Sequence, residues 1–285
     1  MDAEEMTAEL NEVRRQLTNE VNQRRTVLKP IEQALRALKD PHNNAVALYE
    51  AGAALENSPT ELELPEGANQ LFKELQTLAD THLSELEFTF VRDLREAFTA
   101  NGITLSGEPN ALVAELFVIK PDIRRKQVEM TFSRQPVSGK KIKLDVALVV
   151  SSYERARREI CQRKVDYEEL IKEIFEAYER TLKLAGKPME TRMSIVDCYR
   201  ELVLVRQPLS FRKTPSKNSF KDYPKTHFAY DMLELRRQNK LNYNGLRLNL
   251  GTSTIDVGGD TARVMFLATE ATQGQFIKDL YFAKK

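Results

Sequence analysis

The chain is poor in the features that mark secreted, membrane-spanning or metal-dependent proteins. Its longest apolar run, Val146 to Val150, follows a short alternating stretch and falls far below the roughly 18 residues that cross a bilayer, so no membrane helix is expected. Met1 to Glu5 is acidic where a secretory signal would carry positive charge and then an apolar stretch. Only two cysteines occur, Cys161 and Cys198, 37 positions apart on segments that read as helix. That usage predicts two reduced thiols rather than a disulfide framework, and with it a cytoplasmic protein. Net charge is also missing: at +1 the chain has no global field to draw it to DNA, anionic lipid or an acidic substrate, and any such partner needs a local patch.

Catalytic signatures are scarce as well. The three histidines, His42, His82 and His227, are far apart, and none has the spacing of a metal-binding helix or hairpin, so neither a metal nor a cofactor is expected. Neither cysteine has a histidine nearby in sequence, and a thiol among apolar helical neighbours usually acts as a small buried hydrophobe. No phosphate loop of the form GxxxxGK[ST] occurs. Gly258-Gly259-Asp260 lacks both the lysine and the helix that would follow. Asp145 and Glu115 lead into apolar residues, not into the acid and lysine that a strand-borne metal nuclease requires.

What the chain does have is length, a balanced composition and helical periodicity. With 285 residues, 41% hydrophobic and 30% charged, it reads as a folded protein with a highly charged surface and a sizeable core. Apolar residues recur at three-four spacing through Leu10, Val13, Leu17 and Val21, then at Leu28, Ile31, Leu35 and Leu38, with Arg24 at the intervening seam position. The four-four step from Val13 to Leu17 to Val21 is a stutter in a heptad pattern, and a seam of this kind calls for a partner helix. Pro30 predicts a kink or restart near Lys29, and Asp40-Pro41 an end. A short helix is expected around Val46 to Leu55. A long one should run from near Gly67 to a stop at Asn101-Gly102, its stripe including Leu71, Leu75, Leu78, Leu86, Phe90, Leu94 and Phe98.

Beyond Gly102 the period shifts to two. Ala111 to Ile119, Val128 to Phe132 and Ile142 to Val150 read as strands of a small antiparallel sheet. A long helix is expected from Ser151-Ser152 to Gly186-Lys187-Pro188, then helices over Ser194 to Val205 and Thr226 to about Lys240. A C-terminal meander should use Leu246 to Leu250, Thr254 to Val257, Ala262 to Leu267 and Phe276 to Phe282, with Gly258-Gly259-Asp260 as a hairpin turn. The pattern as a whole predicts an α+β fold. A long-helix or coiled-coil region occupies 1–100, a small β-rich segment 101–150, and a helical segment with the meander 151–285.

One stretch departs from the balanced background. Arg206, Arg212, Lys213, Lys217, Lys221 and Lys225 face a single acid, Asp222, with Phe211, Phe220 and Tyr223 interleaved. Such a loop would neutralise phosphates while a ring stacks on a base; the competing reading is a solvated connector whose aromatics dock on the core. The leading functional expectation is a non-catalytic scaffold or adaptor subunit that binds a protein partner or a second copy through Leu10, Val13, Leu17, Val21 and Leu28. The alternative is a nucleic-acid-binding accessory component of a prokaryotic genome-maintenance or defence complex, with Arg206, Phe211, Arg212, Lys213, Lys217, Lys221 and Lys225 as its contacts.

Overall fold

A computed structural model describes residues 2–58, 64–253 and 262–284. The fold is α+β, with a long N-terminal helix and small antiparallel sheets in the middle and at the C-terminus. The chain divides into two compact units, residues 1–96 with 121–127, and residues 97–120 with 128–285.

The first unit contains α1 (Ala3–Ala37), α2 (Ala45–Glu56) and most of α3 (Ala68–Ala100). Asp2 starts α1 through a capping box: its carboxylate accepts from the backbone of Glu4 and Glu5, and Glu5 accepts from the Asp2 amide. Of the kink or restart expected near Lys29, the restart does not occur, since α1 runs through Pro30 as one helix. Pro30 removes one helical hydrogen bond, and Val27, Ile31 and Ala34 pack on both sides of it.

The buried stripe of α1 also differs from the predicted seam. It is Val27, Ala34 and Ala37 with Ile31 half-buried beside them, while Leu28, Leu35 and Leu38 stay exposed. Small side chains explain the choice. Ala34, Ala37, Ala51 and Ala79 come from three helices and form one cluster with Leu48, which lets the backbones approach closely. Leucines at those positions would hold the helices apart.

The second unit holds two sheets. In the first, β1 (Leu105–Glu108), β2 (Ala111–Ala114), β3 (Phe117–Asp122), β4 (Gln127–Phe132) and β5 (Gln135–Pro136) lie in sequence order, with β6 (Ile142–Lys143) against β4. A strand over Ile142–Val150 is not formed. Helix α4 (Val146–Ile160) begins there instead, capped by Asp145, whose carboxylate accepts from the Leu148 amide at 2.9 Å. The expected single helix to Gly186 is likewise two: α4 ends at Ile160, and α5 (Tyr167–Ala185) starts anew with Asp166 as its cap. Tyr153 of α4 packs on Phe98 at 5.0 Å and on Phe117 at 5.4 Å, which seats the helix on the sheet.

The second sheet follows α6 (Ile195–Val205), the short α7 (Leu209–Lys213) and α8 (Lys225–Arg237). Its order is β10 (Met265–Ala268), β11 (Gly274–Ala283), β9 (Leu246–Thr252), β8 (Asn242–Tyr243), with β7 (Met193–Ser194) also on β11. The last strand therefore lies between β9 and β10, and this is not the expected meander. Thr254 to Val257 and Gly258-Gly259-Asp260 lie outside the described residues. Asn244 and Gly245, at φ of 54° and 74°, make the tight turn between β8 and β9 that an Asn-Gly pair favours. Phe282 anchors α5 to this sheet, at 5.0 Å from Phe175 and 5.5 Å from Tyr178.

Candidate functional site

The exposed half of α1 is the most unusual surface of the molecule. Every residue from Asp2 to Thr26 is exposed. Leu10, Val13, Leu17 and Val21 are 64%, 51%, 57% and 49% accessible, and Leu28 54%. Met6 extends the same stripe. Side chains of this size at three-four spacing are buried when a helix belongs to a core, and no described part of the chain covers these. Nearby, Ile31, Leu35, Leu38, Leu71, Leu75 and Leu78 line an apolar groove of about 300 Å³ in the first unit.

The basic segment keeps only part of its predicted surface. Arg206 is drawn inward and does not join the exposed row. Its Nε lies 3.4 Å from Glu173, its Nη1 3.9 Å from Asp231, and its guanidinium 4.2 Å above the Tyr223 ring. The Arg212 side chain donates to the Val205 carbonyl. Phe211 packs edge-on against Phe220 at 5.5 Å, and Tyr223 is buried. Lys213, Lys217 and Lys221 are exposed, and Lys225 is half-buried at the start of α8. Gln207 holds the loop closed, its side chain bonding both the amide and the carbonyl of Lys221 at 2.9 Å.

Arg206 was drawn in by an acid–base network that the sequence does not display. Asp231 is fully buried; its carboxylate accepts from Arg163 at 2.6 Å and from the Tyr223 hydroxyl at 2.6 Å. Burial nevertheless pushes the Asp231 carboxyl up, outweighing both partners. Burial also raises Glu173 and lowers His227 to about 4, with Arg163 adding to the second effect. The one linear hint is Asp231 set between the apolar residues Phe228 to Tyr230 and Met232-Leu233.

A cleft of about 620 Å³ in the second unit is lined by Glu115, Arg157, Cys161, Tyr230, Arg237 and Glu270, among others. Arg157 holds Glu115 through two bonds of 2.8 and 2.9 Å, so both charges are committed to each other. Burial raises the Cys161 thiol to about 12, which keeps it protonated and unreactive at neutral pH. Cys198 is buried, also near 12 for the same reason, and both thiols are free.

Two of the three histidines meet in the fold. Sequence spacing keeps them apart, yet the fold brings His42 and His82 onto the carboxylate of Glu85. Among the described residues no helix is long and apolar enough to cross a membrane. Comparison with protein-family models, with curated proteins and with solved structures gives no match.

Proposed function

We propose that this protein is a non-catalytic assembly subunit that pairs with a second copy of itself through α1. The observation that carries the reading is the uncovered apolar stripe from Met6 to Val21 on a helix whose every residue up to Thr26 faces solvent. Charge supplies the orientation. Asp2, Glu4, Glu5, Glu9 and Glu12 make the N-terminal stretch acidic, while Arg14, Arg15, Arg24, Arg25 and Lys29 make the following stretch basic, with Glu20 its one acid. An antiparallel pair lays acid along base; a parallel pair opposes like charges.

Magnitudes favour a reversible dimer. Burying the exposed half of a large apolar side chain is worth about 1 kcal/mol, so ten such side chains in two helices give roughly 10 kcal/mol against an association cost of about 4–15 kcal/mol. Pairing is thus concentration-dependent, and covering Leu28 or the apolar groove strengthens it.

Light scattering across a concentration series tests the reading. Wild type should move from monomer to dimer, and Leu17→Glu should stay monomeric with the thermal stability of dilute, monomeric wild type, because the site is exposed within one chain. Mixed Met6→Cys and Val21→Cys proteins should cross-link to each other, and Met6→Cys alone should not exceed the wild-type blank, which carries Cys161 and Cys198. Monomer at all concentrations rejects pairing, and efficient Met6→Cys self-linkage rejects the antiparallel form.

A second reading rests on Lys213, Lys217 and Lys221, exposed beside Phe220 at 39% accessibility. If this row contacts phosphates, single-stranded nucleic acid should bind with affinity falling steeply in salt, and joint replacement of the three lysines by glutamate should remove it. Binding indifferent to salt and to these changes rejects that role.

A further inference from the structure

His42, His82 and Glu85 offer one donor atom each, all within 4.8 Å of one another. The Nδ1 atoms of His82 and His42 lie 3.0 and 4.0 Å from Glu85 Oε2. Two donors about 2.1 Å from a tetrahedral ion stand roughly 3.4 Å apart, so these separations bracket the ligand spacing of a zinc centre. We propose that the three side chains form a binding site for zinc, or for another late first-row divalent ion, that ties the turn after α1 to α3.

Local structure supports each donor. His82 and Glu85 are three residues apart on α3 and project from one face of it. His42 sits 40 positions earlier in the turn between α1 and α2. That turn is fixed by the Asp40 carboxylate, which accepts from the Asn43 amide at 3.3 Å and from its side chain at 2.8 Å. Among the described ion pairs the only partners of Glu85 are the two imidazoles, and no described lysine or arginine pairs with the carboxylate.

The donor set selects the ion. Two imidazoles and one carboxylate suit zinc, cobalt or nickel, whereas magnesium and calcium call for oxygen ligands. His42 and Glu85 are half exposed and His82 is 22% accessible, which leaves the remaining coordination positions to water. The consequence falls on the first unit. The cluster that joins its three helices is built largely from alanines, and a metal link from residue 42 to residues 82 and 85 fixes the α1–α2 corner against α3 without additional apolar burial.

The test uses the full-length chain stripped of metal by a chelator. Titration calorimetry with zinc should give one site per chain, cobalt should give the visible absorption of a tetrahedral nitrogen–oxygen centre, and zinc should raise the melting temperature. His42→Ala and Glu85→Gln, both at exposed positions, and His82→Gln should each weaken zinc binding by more than about 100-fold, above the roughly 10–100-fold that loss of an outer-sphere contact costs. Magnesium and calcium should produce no signal. Zinc binding that survives the His42 and His82 substitutions, or no binding at millimolar zinc, overturns the site. Leu17→Glu should bind zinc as wild type does, so failure of α1 pairing and failure of this site are read separately.

Discussion

At the scale of single residues, Asp231 shows how a buried carboxylate is tolerated. Arg163, the Tyr223 hydroxyl and Arg206 all face it, and Arg206 in turn reaches Glu173. Removing the carboxylate leaves Arg163 and Arg206 without their shared counter-charge, and Asp231→Ala should lower unfolding stability by about 3–5 kcal/mol in denaturant titration. His227 beside this network adds a pH dependence of definite sign. Its imidazole takes up a proton near 6.5 when unfolded and near 4 when folded. Between those values the unfolded chain binds more protons, so this contribution is complete above about pH 6.5 and is lost as the pH falls toward 4. The raised carboxyls of Asp231 and Glu173 act in the opposite sense at the lower end. The difference between wild type and His227→Gln therefore isolates the histidine, and the variant should show a shallower loss of melting temperature over this window.

At the scale of elements, end signals were legible and starts within apolar runs were not. Gly102 and Gly186, at φ of 72° and 62°, end α3 and α5 as their positions in the sequence predict, because glycine enters the left-handed region without a Cβ penalty. The helix expected over Ser194 to Val205 is α6, with Ser194 as its cap. The run from Val146 to Val150 misled for a physical reason: β-branched residues favour strands only while nothing upstream nucleates a helix, and the Asp145 carboxylate does so. Pro30 does not restart the helix, since packing of neighbouring residues on α2 and α3 outweighs one missing hydrogen bond. That compensation is measurable. Pro30→Ala should restore the bond to the preceding turn and stabilise the chain by about 1–3 kcal/mol in the same denaturant assay.

The candidate sites were legible in proportion to how local they are. The α1 stripe lies on one helix, so its spacing was visible, although the burial of Val27 in place of Leu28 was not. The Asp231 network and the His42–His82–Glu85 cluster draw on segments far apart in sequence, and no periodicity reports such convergence.

At the scale of the whole molecule, self-association links stability to concentration. If the dimer forms through α1, the melting temperature of that transition should rise with protein concentration in scanning calorimetry and should be flat for Leu17→Glu. The uncovered stretch of α1 has one more consequence. A helix without tertiary support opens readily, and Arg14, Arg15, Arg24 and Arg25 all lie within this stretch. A solitary chain thus presents four sites to trypsin that a mated chain shields, and the rate at which the protease clips this segment becomes a gauge of how much of the population has found its double.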